Sequence, residues 1–265
     1  MAMERKFGAA AIQFNIALGE VDLNVERALS GLRRVAEKGA RLAVLPEMWS
    51  TGFTYKRLPQ LSEETPRALE ALMKLSAELD LVVVGSMAEK EGETVFNTAY
   101  VVDGGEVKGR YRKLHLFSTM GEDRFLGAGD QTLVVPTSVG RLGVAICYDL
   151  RVPELFRKLA LEGAEIICLP AEWPYPRQVH WRTLLRARAI ENQLFVAAAN
   201  CCGVQGRLNF FGMSQLISPR GKILAKGGRT DTELTAIFDF SEMEDYRSHI
   251  RCFQERRPDV YGVLS

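Results

Sequence analysis

The chain has 265 residues, room for one large α/β domain with a full core or for two small ones. Hydrophobic residues make up 47% and charged residues 25%, the balance of an ordinary globular protein with a buried core. Lys and Arg number 34 against 33 Asp and Glu, a net charge of +1. No basic excess exists to neutralise phosphates, so neither nucleic acid nor an anionic membrane is expected as a partner.

The start, Met1 to Lys6, is short and charged and leads directly into an apolar run, unlike a secretory leader. No apolar run approaches the ~20 residues that span a membrane. The five cysteines, Cys147, Cys168, Cys201, Cys202 and Cys252, follow neither a zinc nor a disulfide spacing, and a reducing cytoplasm is the expected location.

Gly8 to Asn15 reads as a first strand. Asn24 to Glu37 carries apolar residues at helical spacing, and Leu42 to Leu45 is the next strand. Thr65 to Asp80 is a second helix, with Pro66 near its start, followed by a buried strand over Leu81 to Ser86. Thr94 to Val102 and Glu106 to Tyr111 flank Asp103-Gly104-Gly105, a hairpin turn. The pattern then repeats in kind. Thr132 to Pro136 and Arg141 to Ile146 are strands, Pro153 to Glu162 a helix, Glu165 to Pro170 a strand, Arg182 to Asn192 a helix and Leu194 to Asn200 a buried strand. Gly212 to Ser218, Gly221 to Lys226 and Glu233 to Asp239 read as a meander. The polar segment 241–265 is expected to be a surface arm or an oligomer contact.

Alternation of strands and helices gives way to hairpins in both halves, and no linker rich in Pro, Gly or Ser separates them. The expectation is α/β, one domain over 1–265, with a mixed sheet in each half, the sheets packed on each other and helices outside.

Three strand ends carry chemistry. Leu45-Pro46-Glu47 ends the second strand in an acid, Arg112-Lys113-Leu114-His115-Leu116-Phe117 follows the first hairpin, and Cys147-Tyr148-Asp149-Leu150-Arg151 follows the run Gly143 to Ile146. Each has a plainer explanation alone: buried thiols are ordinarily packing, an acid after a strand is often a solvated loop end, and basic clusters are usually solvated faces. Together and in this order they resemble the nitrilase, or carbon–nitrogen hydrolase, superfamily, most closely its ω-amidase branch, over about residues 8 to 240.

That resemblance implies a four-layer α-β-β-α sandwich with two mixed β-sheets. It also implies cysteine-dependent hydrolysis of a non-peptide C–N bond through a thioester. Amide hydrolysis needs a nucleophile, a base, donors for the oxyanion and an acid for the departing amine. Cys147 suits the first role, its thiolate favoured by the positive end of the following helix, and Glu47 the base. Lys113, with the backbone N–H of Tyr148, suits the oxyanion. Glu122 matches a further active-site glutamate of the family, with Asp123 one residue away competing for the place. Trp173, after the strand ending at Pro170, is a candidate pocket wall. Arg188 and Glu191 are expected to brace a helix against the site.

The three histidines offer a Cys–His alternative. His115 would share a strand face with Lys113 and is read as supporting or packing, His180 as packed on the sheet, and His249 as exposed. No GxGxxG, Walker loop or metal-ligand cluster is present, so no cofactor and no metal are expected.

Within the family, Trp49-Ser50-Thr51-Gly52-Phe53 and His115-Leu116-Phe117 resemble the ω-amidase branch, and that resemblance implies action on a dicarboxylate monoamide of the 2-oxoglutaramate or succinamate type, with water as co-substrate. Arg151, Arg124 and Arg177 are candidates to bind the far carboxylate, although Arg151 reads first as a structural ion pair near Cys147. An N-carbamoyl amino acid amidohydrolase, another aliphatic amidase or a nitrilase would use the same residues, and a non-enzymatic scaffold of the same fold is the alternative from another class. The family implies a homodimer or higher homo-oligomer.

Overall fold

The structure, a computed structural model, describes residues 6–262. Its first half runs β1 (Lys6–Gln13), α1 (Val21–Glu37), β2 (Ala40–Val44), α2 (Leu58–Leu61), α3 (Thr65–Leu79), β3 (Val82–Glu91), β4 (Thr94–Asp103) and β5 (Glu106–Arg112). The second half runs β6 (Val134–Thr137), β7 (Gly140–Val144), α4 (Pro153–Leu161), β8 (Ile166–Ala171), α5 (Gln178–Asn192), β9 (Phe195–Asn200), β10 (Cys202–Gln205), β11 (Leu208–Phe211), β12 (Gln215–Ile217), β13 (Ile223–Lys226), β14 (Thr232–Asp239), α6 (Phe240–His249) and α7 (Pro258–Tyr261).

Two six-stranded mixed sheets result, ordered β14-β1-β2-β3-β4-β5 and β13-β12-β9-β8-β7-β6. In each, the three central strands are parallel and joined through helices, and the flanking strands are antiparallel. The alternation of side chains along a strand explains the layers. Ala9, Ala11, Leu42, Val44, Val82 and Val84 join the core that includes the second sheet. Their neighbours Ala10, Ile12, Ala43 and Val83 pack instead with Ala28, Leu32 and Val35 of α1 and Ala68, Leu72 and Leu75 of α3. On the other side, Leu155, Phe156 and Leu159 of α4 and Leu185 and Ala189 of α5 complete the core. This is the four-layer α-β-β-α sandwich that the sequence led us to expect.

The last strand departs from expectation. β12 and β13 form an antiparallel pair, but β14 does not extend a meander; it crosses to the first sheet and pairs with β1 over eight residues, from Lys6↔Asp239 to Gln13↔Thr232. Phe238 and Leu234 alternate into the core while Ile237 faces out, which matches the open edge of β1. The hairpin β10–β11 and the short helices α2 and α7 gave no readable sequence signal, because four-residue elements have too few periods to register, and the ten-residue α6 buries only Phe240 and Met243, too few to mark an apolar stripe. In the segment read as an arm, α6 is anchored by buried Phe240 and Met243. Helix α1 begins at Val21, before the expected start, because Asn24 turns inward: its amide bonds Ala17 in both directions and donates to the Ser50 carbonyl (3.0 Å), joining the loop after β1 to the loop after β2. No helix among the described residues is long and apolar enough to cross a membrane.

Candidate active site

Glu47, Lys113, Cys147 and Glu172 all follow the carboxyl ends of strands, β2, β5, β7 and β8 respectively, and meet where the two sheets face each other. Glu47 is held by its own loop. Met48 takes a left-handed φ of 42°, and its N–H donates to Ser86 Oγ (2.9 Å), while Trp49 N–H donates to the Ser86 carbonyl (3.1 Å). The indole of Trp49 lies against Gly85, where a Cβ would come within 3.0 Å of the ring, so only glycine lets β3 and this loop close together.

The Glu47 carboxylate is fully buried and accepts three hydrogen bonds: from Asn97 Nδ2 and Lys113 Nζ at Oε1 (2.8 Å each), and from the Glu172 N–H at Oε2 (2.8 Å). Lys113 Nζ also donates to Glu122 (2.9 Å to Oε1). Burial alone would lower the Lys113 pKa, but the charges of Glu47 and Glu122 outweigh it and hold the ammonium well above its ordinary value. Lys113 is therefore a fixed cation. Its main chain is pinned too, its N–H donating to the Asn97 carbonyl and its own carbonyl accepting from Gly129 N–H (2.9 Å each). Glu122 stands in the place that the sequence left open between Glu122 and Asp123. It is buried and also accepts from Phe117 N–H (3.0 Å), whereas Asp123 is exposed.

Cys147 sits on a sharp turn with φ of 46°, a left-handed conformation that costs a non-glycine residue about 1–2 kcal/mol. Asp149 holds that turn. Fully buried, it accepts from Ile146 N–H (2.8 Å), the Tyr111 hydroxyl (2.7 Å) and His115 N–H (3.0 Å), and its Oδ1 lies 2.7 Å from His115 Nδ1. Arg188 braces the same turn as expected, donating to the Leu150 carbonyl (2.8 Å) and pairing with Glu191 (2.9 Å). The expectation that a helix end favours the thiolate is corrected. Cys147 is itself the first residue of a five-residue 3-10 turn, and α4 starts afresh at Pro153. Burial first, and then the charge of Glu47, push the thiol well above its ordinary pKa, against the opposing charge of Lys113. The resting group is the thiol, and its activation requires a base.

A narrow pocket opens over Cys147. Its walls include Phe53, Tyr55, Phe117, Tyr148, Trp173 and Phe210, with Glu122 and Glu172 as buried acids and Arg151 and Arg177 as cations. Phe117 stacks on Tyr148 (4.6 Å between centroids), the Arg151 guanidinium lies over Trp173 (4.9 Å), and that of Arg177 over Phe117 (5.3 Å). Among the described residues, no three His, Cys, Asp or Glu side chains gather as a metal site would require.

The family model for the carbon-nitrogen hydrolase matches residues 8–248, nearly the whole chain. The chain is a carbon–nitrogen hydrolase. The hydrolase is 38% identical over 259 residues to the 2-oxoglutaramate amidase of Bacillus subtilis (strain 168), covering 97% of this chain and 100% of that one. It is 30% identical over 269 residues to the omega-amidase of Homo sapiens, with 97% of each chain covered. The solved structure of a glutamate-to-leucine mutant of an amidase from Nesterenkonia sp. AN1, with the acetamide moiety of fluoroacetamide added covalently at its active-site cysteine, superposes with a TM-score of 0.86 at 26% identity, over 96% of this chain and 95% of that one.

Four sequence expectations about side chains in the hydrolase are corrected. Lys113 and His115 do not share a strand face, because β5 ends at Arg112; Lys113 points to Glu47 and His115 to Asp149. His180 is exposed and lies 3.3 Å from Arg151 rather than packing on the sheet. Arg151 makes no ion pair among the described residues; its guanidinium lies over the Tyr148 and Trp173 rings in the pocket wall. Arg124 is exposed and absent from the lining. Sequence reasoning also passed over Asn97, Asp149 and Glu172. Asp149 had a signal, as a capping acid two residues after Cys147; Asn97 had none, since only the pairing of β4 with β3 carries its side chain to Glu47.

The hydrogen bond to Asp149 raises the His115 pKa above 6.5, burial working against it and the Asp149 charge with it. The imidazolium contact thus contributes stability in full below the unfolded pKa, and the contribution fades as pH rises through the higher folded value. Thermal melts of wild type and His115→Asn should therefore differ most at pH below about 6.5 and converge at alkaline pH. A gap that widened with pH would mean that the contact uses neutral histidine.

Proposed function

We propose that the hydrolase is an ω-amidase, converting a dicarboxylate monoamide of the 2-oxoglutaramate or succinamate type to the acid and ammonia. The observation that carries this reading is the pair Arg151 and Arg177. Both line the pocket over Cys147, and neither is ion-paired to a carboxylate among the described residues. A small anionic substrate supplies the missing partner, and guanidinium matches carboxylate in geometry. The names of the Bacillus subtilis and human relatives support the same substrate class.

In this reading Glu47 takes the Cys147 proton as sulfur attacks the amide carbon. Lys113 and the Tyr148 N–H meet the oxyanion, and Glu47 returns the proton to nitrogen as the C–N bond breaks and ammonia leaves. Water activated by Glu47 then cleaves the thioester, releasing the acid and restoring the thiol. Glu122 orients Lys113. The covalent adduct at the cysteine of the Nesterenkonia amidase supports sulfur as the nucleophile. Five free thiols fit a reducing cytoplasm, and a homodimer is the proposed assembly.

Ammonia release from 2-oxoglutaramate, succinamate, an N-carbamoyl amino acid, an aliphatic amide and a nitrile tests the reading. Turnover should be fastest with the first two, and Arg151→Gln should raise their KM by about tenfold with a smaller change in kcat. Faster release from the carbamoyl compound or the nitrile would move the substrate class.

A further inference from the structure

Glu172 has no task in the steps above. It follows β8, is 4% exposed and lines the pocket beside Cys147. Its N–H is committed to Glu47 (2.8 Å), yet neither oxygen of its own carboxyl makes a hydrogen bond of good geometry, although the Gln205 side chain and the Cys201 thiol lie close to it. The rest of the pocket wall near it is largely aromatic, including Trp173 and Phe210. A buried polar group without a well-made partner costs about 1–3 kcal/mol, and this one is among the residues that line the pocket.

We propose that Glu172 is a substrate-specificity residue that works as a neutral carboxylic acid, donating its O–H to an acceptor oxygen on the acyl chain of the ω-monoamide. The proposal rests on the ω-amidase reading. Glu172 lies among Glu47 from the loop after β2, Tyr55 beyond it, Lys113 after β5, Cys147 after β7 and Cys201 after β9, with Gln205 on β10 and the cations Arg151 and Arg177 in the same pocket. Burial first, and then the charge of Glu47, raise its pKa well above the carboxylate range; Gln205, Cys201 and Lys113 offset only part of this. An ionised Glu172 would repel both Glu47 and an anionic substrate. The neutral acid does neither and leaves Glu47 as the group that moves protons.

The test compares wild type, Glu172→Gln and Glu172→Leu on succinamate and butyramide, which share a four-carbon chain and differ in carboxylate against methyl. Glutamine keeps a donor, so its kcat/KM on succinamate should stay within about threefold of wild type. Leucine should lower that value about tenfold or more, mainly through KM, with butyramide changed less than about threefold. Leucine should also raise Tm, since it removes a buried polar group without a well-made partner. A protonated-carboxyl infrared band should be present in wild type at neutral pH and lost in Glu172→Gln. Wild-type activity from Glu172→Leu on succinamate, equal loss in both variants, or absence of that band would overturn the proposal. Wild-type preference for butyramide would instead overturn the ω-amidase reading itself.

Discussion

Replacing Cys147 by alanine should abolish ammonia release from every amide while leaving the fold in place. The residue has a buried thiol on a strained turn, facing Glu47. Without sulfur no thioester forms, and the remaining groups can only polarise the amide and hold it. A loss of at least about 10⁴-fold in kcat is expected, the scale seen when a covalent nucleophile is removed. The structural cost is one buried sulfur atom, about 1 kcal/mol by area and packing. The turn itself is tied by Asp149 to Ile146, Tyr111 and His115, none of which the substitution touches. Circular dichroism and the melting curve should therefore match wild type closely. Retention of full activity would remove the thioester mechanism altogether.

Lys113→Met should lose activity for a different reason and should also lose stability. Lys113 Nζ lies 2.8 Å from Glu47 and 2.8 Å from Glu122, all three side chains being essentially sealed from solvent. Removing the cation leaves two buried acids without a countercharge, and breaking such a pair costs about 3–5 kcal/mol. For a domain of this size that is a fall in Tm of roughly 6–20 °C. Activity should fall with it, because the oxyanion donor is gone and the acids must share a proton that Glu47 needs to exchange. A second substitution separates the effects. Lys113→Met with Glu122→Gln removes one of the stranded acids, so Tm should recover by several degrees while kcat stays low. Recovery of both together would reduce Lys113 to a structural ion pair.

Glu47, Lys113 and Cys147 were legible because each belongs to a short local pattern: a strand-forming run followed by one polar residue of a particular type. Local patterns survive in a linear reading, and three in order identified the superfamily. Glu172 sits in the same kind of place, at the end of β8. It was passed over because nothing local distinguishes a buried acid from an exposed one; only the convergence of β2, β5, β7 and β8 reveals that it is buried beside Glu47. The same limit explains β14. Its alternation marked a strand correctly, but a strand's partner depends on which sheet edge is open, and β1 lies more than 200 residues away.

The sequence by itself determined the family, the two-sheet architecture and which acid, lysine and cysteine stand at the strand ends, because strand alternation, helical spacing and strand-end motifs are properties of neighbouring residues. Only the tertiary structure decided the state of those groups. Whether the Cys147 thiol is ionised, whether Lys113 keeps its charge, whether Arg151 is paired or turned into the pocket, and whether Glu172 is neutral all depend on burial and on charges brought from distant strands. Electrostatic energy in a low-dielectric interior is set by distance through space, and the chain order does not contain that distance.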